Sequence, residues 1–389
     1  MEPVFDLYSA RIDSDPFPGY ALLRERYPCY WSDSNGLWIL SRYDDVARAA
    51  QDWHTYSSTS GNMIDELPGR AGATLGTTDP PRHDRLRALV QKAFGRTQLE
   101  YLSEPARELA QVAIGRILQR REFDFVTDFA SHVTVGILFR MLGLPQRDAA
   151  EIRRKVVLSV STDKHARGRT NVHIQAFKEL GDFISEQVTQ RRAAPRDDLV
   201  TALAEAQING DRLSEREVVL TTATFVMAGV ESLSSFMSMF ALNLSDYPRE
   251  RHKVLSNSAL LAAAIEESLR FNTSAQRFRR VLTEDVELHG EIMRKGDKVA
   301  LAYGAANRDP RKFAQPDVYD VERNPRAHLG FGAGPHFCLG SHMARLVTAT
   351  AMGAFLEAVP SFERSQAQLD WVPSSNFRSP VSLPFRVLA

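Results

Sequence analysis

Two cysteines in 389 residues, Cys29 and Cys338, are too few and too far apart for a disulfide framework, so a reducing, cytoplasmic compartment is expected. An excess of either charge is also missing. The 48 Lys and Arg balance the 48 Asp and Glu to a formal net charge of zero, which argues against the basic footprint of a nucleic-acid or membrane-surface protein. No Gly/Ser-rich linker, low-complexity run or internal repeat marks a boundary, so residues 1–389 are expected to form one domain. The opening stretch MEPVFDLYSARIDSDPFPGY lacks a basic segment followed by an apolar one, and no secretory leader is expected. The most apolar long run, Val218 to Leu244, contains Glu231, a glycine, an asparagine and many hydroxyls, too polar for a lipid-facing span.

What is present is mostly helical periodicity. Leu102, Leu109, Val112, Ile114 and Leu118 space out one amphipathic stripe over 97–121, and a second runs from Phe125 to Leu142. GLWILSRYDDVARAA reads as a short strand followed by a helix. Short alternations return in RRVLTEDVELHGEIMRKGDKVALAY, separated by turns at His289-Gly290 and Lys295-Gly296, and the tail NFRSPVSLPFRVLA reads the same way. The predicted fold class is mainly α (α+β), a large helical body with a smaller β-rich portion.

Two segments carry features that packing alone does not require. Ser214-Glu215-Arg216-Glu217 is a capping box that opens a helix running to Asp246, ahead of Tyr247-Pro248. The helix is apolar almost all round, yet its middle reads AGVES. Gly229 costs about 1 kcal/mol against alanine there, and Glu231 is a charge on a buried helix. The other segment is FGAGPHFCLG, 331–340, in which Cys338 stands among glycines directly ahead of an amphipathic helix through Met343, Val347 and Phe355. A helix start lowers a thiol pKa, and Gly332, Gly334 and Gly340 allow tight turns and the close approach of a flat ligand. Such a cysteine can be an axial heme ligand. A buried inert cysteine, a zinc site drawn from His328, His336, Cys338 and His342, and a nucleophile with a histidine base are the alternatives.

FGAGPHFCLG resembles the Phe-x-x-Gly-x-x-x-Cys-x-Gly signature of the cytochrome P450 family of heme-thiolate monooxygenases, and the family's other signatures follow in order along nearly the whole chain. It looks most like the soluble bacterial members. The resemblance implies the cytochrome P450 fold, heme b (iron protoporphyrin IX) as cofactor and Cys338 as the metal ligand. DPPRHDRLRALVQKAF is similar to the family's His-x-x-x-Arg element in His83 and Arg87, which with Arg280 and His336 would bind the heme propionates. Glu267 and Arg270 of EESLRF, with Arg323, resemble the buried Glu-Arg-Arg network that locks the cysteine loop to the core, and ANRDP at 306–310 belongs to the same region. AGVES resembles the oxygen-activating signature. Ala228-Gly229 would leave a groove for O2 and substrate, with Glu231 and Ser232 as the catalytic acid–alcohol pair. Serine stands where the family usually has threonine, and Leu233 where a second threonine is frequent.

The implied activity is insertion of one oxygen atom of O2 into a small to medium organic substrate, by hydroxylation, O-dealkylation or epoxidation. Electrons would come from a separate ferredoxin or flavodoxin-type donor with its reductase, because two cysteines cannot hold a cluster and no flavin motif is seen. Arg85, Lys92, Arg96 and Arg345 could receive an acidic partner of that kind. By family position the substrate pocket draws on 57–76, on Thr224, Met227 and Ala228, on Gln276 and Phe278, and on the Asn376-Phe377 turn. Arg70 reads as a solvated loop arginine rather than a partner for a substrate carboxylate. A monomer without membrane association is expected. A peroxygenase or isomerase of the same fold, and a non-enzymatic heme protein, are the competing functions.

Overall fold

The computed structural model describes residues 5–91 and 99–388. The elements that shape the site are the strands β1 (Cys29–Ser32), β2 (Leu37–Leu40), β3 (Tyr56–Ser57), β4 (Phe278–Leu282) and β5 (Lys298–Leu301). With them stand the helices α1 (Tyr43–Gln51), α2 (Arg82–Gln91), α3 (Ser103–Arg120), α4 (Ser131–Leu142), α5 (Glu215–Asp246), α6 (Leu261–Phe271) and α7 (Ser341–Ala358).

The β portion is a five-stranded sheet in the order β1-β2-β5-β4-β3. Strand β2 is buried at all four positions because it lies between β1, paired antiparallel, and β5, paired parallel with Val299 opposite Trp38. The hairpin expected at His289-Gly290 joins Val286–Leu288 to Glu291–Met293, and both turn residues adopt positive φ, 54° and 82°. In the tail, the strand Pro384–Val387 pairs with Phe362–Arg364 on one side and Glu122–Asp124 on the other. The preceding residues supply only single bridges, such as Ala275 with Phe377.

Helix α5 is the core element. Ser214 Oγ accepts from the Glu217 N–H at 3.2 Å and Glu217 Oε2 accepts from the Ser214 N–H at 2.9 Å, the expected capping box. From there it runs 32 residues. By length and composition, Phe125–Leu142 and Glu215–Asp246 could each cross a membrane, but 78% of either apolar stretch is buried against protein, as in core helices. Within the first of these, Phe125–Ala130 is a π-helical turn leading into α4.

The stripe expected along α3 needs correction. Val112 and Leu118 are 49% and 46% exposed, whereas the buried face is Ala106, Ala110, Ala113, Ile114 and Ile117. Small alanines let α3 lie close to α7, so the contact face shifts away from the larger aliphatic residues. Leu109 still packs inward, occupying the space that a Cβ on Gly136 of α4 would need, 2.7 Å away.

Candidate active site

A cavity of about 340 Å³ lies between α5, α2, β4 and the cysteine loop, and its lining is mostly apolar. Cys338 is part of that wall, two residues ahead of Gly340, which caps α7. The loop is held by its own backbone: the Cys338 N–H donates to Phe331 O at 2.9 Å, and the Ser341 N–H to Cys338 O at 3.3 Å. Gly332 and Gly334 take φ of 72° and 67°, as a left-handed turn requires. At Gly334 a Cβ would also sit 2.5 Å from Ala50 O of α1. Gly340 has an ordinary φ of −80°; there the absent side chain leaves open space 4.0 Å from the cysteine sulfur.

The thiol itself departs from expectation. Cys338 keeps accessible surface toward the cavity, but it lies deep in the protein. Burial pushes its pKa up, against the Gly340 N–H and the charges of Arg87 and Arg345, which act to lower it. The helix start alone does not hold a thiolate here; a coordinated cation would, because metal binding deprotonates a thiol outright. Cys29 is different in kind. It is buried in β1 and its thiol is pushed up to about 12 by burial and then by Glu291 and Asp45.

His83, Arg87, Arg280 and His336 all line the same cavity. His83 Nδ1 meets Asp84 Oδ1 at 2.9 Å, and His336 Nε2 meets Ser58 Oγ at 3.1 Å. The opposite ring atoms, His83 Nε2 and His336 Nδ1, are buried without a partner, and the two rings lie edge to face at 4.8 Å between centroids. Burial keeps the His336 pKa low, helped by Arg280 and His83 and opposed by Asp79. Arg280 Nη1 donates to Arg279 O at 2.8 Å, and Arg87 Nη1 donates to Pro335 O and Phe337 O, both at 3.1 Å. Two orphaned imidazole atoms and two guanidiniums, lining the same cavity as a cysteine on a glycine loop, fit a flat ligand that carries carboxylates on its rim. They fit heme. A zinc site does not fit, because both His328 nitrogens are taken, Nε2 by Glu266 at 2.9 Å and Nδ1 by the Gly330 N–H at 3.0 Å.

Thr224, Met227, Ala228, Phe278 and Ser232 line the cavity, as does Phe377. Gln276 does not. It is fully buried, accepts from Tyr20 OH at 3.0 Å and donates to Thr273 O at 2.5 Å, and its Oε1 fills the space a Cβ on Gly304 would need. Asn376 is likewise structural, tying Ile64 N to Arg277 O. Glu231 is buried but is not part of the wall; its Oε1 accepts from Ser235 Oγ at 3.1 Å, and Ser235 Oγ lies 2.7 Å from Ser379 Oγ. Adjacent residues on a helix point about 100° apart, so Ser232 lines the cavity while Glu231 is turned away from it toward Ser235. Gly229 is on the wall, but its missing Cβ is explained by Leu138 of α4, whose Cδ1 would be 2.6 Å away.

Arg70 is not solvated. It is 6% exposed, lines the cavity and pairs with Glu66. Two of the surface cations expected to await a partner are engaged. Arg85 bonds Asp211 and Glu217, and Arg345 bonds Glu266 and stacks over Phe331 at 4.6 Å. Lys92 and Arg96 lie outside the described residues.

Glu267 and Arg270 are both fully buried, joined by a two-bond fork at 2.7 and 2.6 Å, and Arg323 Nε reaches Glu267 Oε1 at 3.1 Å. Asn307 of ANRDP accepts from the Leu329 N–H at 2.6 Å, tethering the chain where it enters the cysteine loop. The neighbouring clasp of Glu266 with His328 and Arg345 was not foreseen. A lone Glu266 beside Glu267 gives no signal of which distant cations it will meet.

The Cytochrome P450 family model matches residues 22–363. Nocardicin C N-oxygenase of Nocardia uniformis subsp. tsuyamanensis is 33% identical, covering 95% of each chain. Methyl-branched lipid omega-hydroxylase of Mycobacterium tuberculosis is 34% identical over 86% of this chain and 82% of its own. The solved structure of the bacillaene polyketide synthase cytochrome P450 PksS of Bacillus subtilis superposes with a TM-score of 0.90 at 27% identity, over 99% of this chain and 100% of that one. With the cysteine loop and its orphaned histidines, these matches establish that the chain belongs to the cytochrome P450 family and is a heme b-dependent monooxygenase.

Proposed function

We propose that the chain, acting as one domain over 1–389, inserts oxygen into a small to medium, largely apolar organic substrate, with electrons from a separate ferredoxin or flavodoxin-type donor and its reductase. Hydroxylation is the reaction favoured, supported by the relative named for omega-hydroxylation, with O-dealkylation and epoxidation open to the same site. Cys338 would hold the iron, while His83, Arg87, Arg280 and His336 would receive the two propionates, the orphaned His83 Nε2 and His336 Nδ1 gaining the partners they lack. Bound heme would supply the activation of O2 and its insertion into substrate.

The protein's own part is positioning and proton supply. Met227, Ala228 and Phe278 shape an apolar wall that excludes water and holds substrate, and Thr224 adds a hydroxyl whose proton is already committed to Leu220 O at 2.7 Å. The observation that carries the catalytic reading is Ser232 on that wall, with its chain neighbour Glu231 buried off the wall and accepting from Ser235 Oγ, which also bonds Ser379 Oγ. Ser232 would pass a proton into the cavity and Glu231 would replace it. A serine lacks the methyl that restricts a threonine rotamer, so coupling is expected to be looser than with threonine. The test is product formed per NAD(P)H consumed with surrogate redox partners. Ser232→Ala should sustain O2 consumption while diverting it to hydrogen peroxide, Glu231→Gln should slow turnover, and Ser232→Thr should hold or improve coupling. Unchanged coupling in Ser232→Ala, with efficient peroxide-driven turnover by the unaltered protein, would move the assignment to a peroxygenase.

A further inference from the structure

The substrate half of the cavity has one charged residue that heme does not explain. Arg70 sits on the segment between β3 and α2, 6% exposed, with Nη1 on Glu66 and Nη2 3.4 Å from Asn62 Oδ1, while Nε is buried without a partner. Arg70 and Asn62 both line the cavity. The companion carboxylate is already satisfied: besides Arg70, Glu66 accepts the N–H groups of Asn62, Met63 and Leu67 at 2.8, 3.1 and 3.0 Å.

The surroundings are cationic on balance. Arg169 touches the cavity residue Met63 through Nη2, 3.8 Å from the sulfur, and its Nη1 is buried and unpartnered. Arg279 bonds Ser60 O and Ile64 O, and its Nε is unpartnered as well. Against these three guanidiniums stand two carboxylates, Glu66 and Asp65, and Asp65 is also held by Tyr8 OH at 2.5 Å and Ser375 Oγ at 2.7 Å. Burial pushes the Arg169 pKa down to about 10, opposed by Asp65, which is still well above neutral pH. Among the described residues, no acidic side chain lines the cavity. One positive charge and three buried N–H donors are therefore left over beside an otherwise apolar space, and leaving such donors unmet is unfavourable.

We propose that the cavity takes an amphiphilic substrate with a terminal carboxylate, the carboxylate received by Arg70 together with Asn62 and the apolar body lying along the wall toward Cys338. This rests on the monooxygenase reading of the same cavity and names its substrate class. A carboxylate supplies acceptor lone pairs to a guanidinium in a charge-assisted bond, whereas an amine would meet only donors and a surplus of positive charge.

The experiment compares decanoate with 1-decanol on the holoenzyme, by the spin-state change in the absorption spectrum and by calorimetry, which reads binding whatever the state of the iron. Decanoate should bind more tightly than 1-decanol. Arg70→Gln should weaken decanoate about 10- to 100-fold and leave 1-decanol within about twofold, with Arg70→Lys in between. Should Arg70→Gln fold poorly because Glu66 is stranded, Glu66→Gln/Arg70→Gln removes both charges and carries the same expectation. Equal loss of both ligands would make Arg70 a brace for its loop and overturn the proposal, as would decanoate binding no tighter than 1-decanol, or not at all, to the unaltered protein. The reduced CO spectrum is recorded first: loss of its thiolate signature would sink the heme reading, whereas a normal spectrum without carboxylate preference sinks only this one.

Discussion

Gly229 shows how far a single residue could be read from its neighbours in sequence. That a glycine in the middle of a buried 32-residue helix must have a reason is legible from AGVES, because the helix loses about 1 kcal/mol by having it. The reason lies in a residue some ninety positions earlier, Leu138, which no local pattern could supply. An alanine at 229 would regain helix propensity but place its Cβ 2.6 Å from Leu138 Cδ1, and overpacking of that kind costs about 1–3 kcal/mol. Leu138 also lines the cavity, so its route of escape is into the substrate space. Gly229→Ala is thus expected to fold with a stability loss of about 0–2 kcal/mol and to bind spin-shifting ligands more weakly. Gly229→Ala/Leu138→Val should recover affinity, and denaturant titration with spectral binding measures both. Gln276 illustrates the opposite case. Its place in the chain suggested a pocket residue, yet the space left by Gly304 draws it into the core, where its amide is fully engaged.

At the scale of elements, the cysteine loop is suspended from α6 by two adjacent carboxylates facing different ways. Glu267 holds Arg270 and Arg323, and Arg270 reaches Asn307 O and Pro316 O at 3.0 and 2.8 Å. Glu266 binds His328 at the entrance of the loop and Arg345 on α7 beyond it. Cutting the first support by Glu267→Ala strands a fully buried guanidinium, at roughly 3–5 kcal/mol, and should leave little heme-loaded protein. Normal heme content in that variant would reduce the pair to an ordinary bridge. The second support is pH-dependent in a defined direction. Burial alone would raise the Glu266 pKa, but Arg345 and His328 outweigh it and bring it from 4.5 to about 2. A depressed carboxylate stabilises the fold above its unfolded pKa and loses that contribution as the pH falls through its folded one. The stability gap between unaltered protein and Glu266→Gln should therefore be full above about pH 4.5 and close as the pH approaches 2, read as melting temperature across that range. The Glu267 support was visible in sequence as Glu-x-x-Arg; the Glu266 one was not, since its partners are remote.

For the molecule as a whole, the cavity is a place where folding alone leaves the accounts of donors and acceptors open. His83 and His336 each bury an imidazole nitrogen with nothing to bond, and an unmet buried group costs about 1–3 kcal/mol. A ligand that binds only the folded state stabilises it by mass action. Stripping heme should lower the melting temperature and speed amide hydrogen exchange in α2 and across 329–340, while β2 and β5, buried in the sheet, stay protected; uniform deprotection would show that the whole fold depends on the cofactor. The order of strands in that sheet has a further consequence. Strands β2 and β3 come from the first 57 residues, and their late partners, β5 for β2 and β4 for β3, begin at Lys298 and Phe278. On the ribosome, at roughly 5–20 residues per second, β1 and β2 can pair with each other at once, but the other edge of β2 and the pairing edge of β3 must wait about 10–50 seconds for β5 and β4 to emerge. Until then their edges are open templates for pairing with other chains, so a nascent chain of this protein should depend on chaperones for its N-terminal strands long before its helices have finished forming.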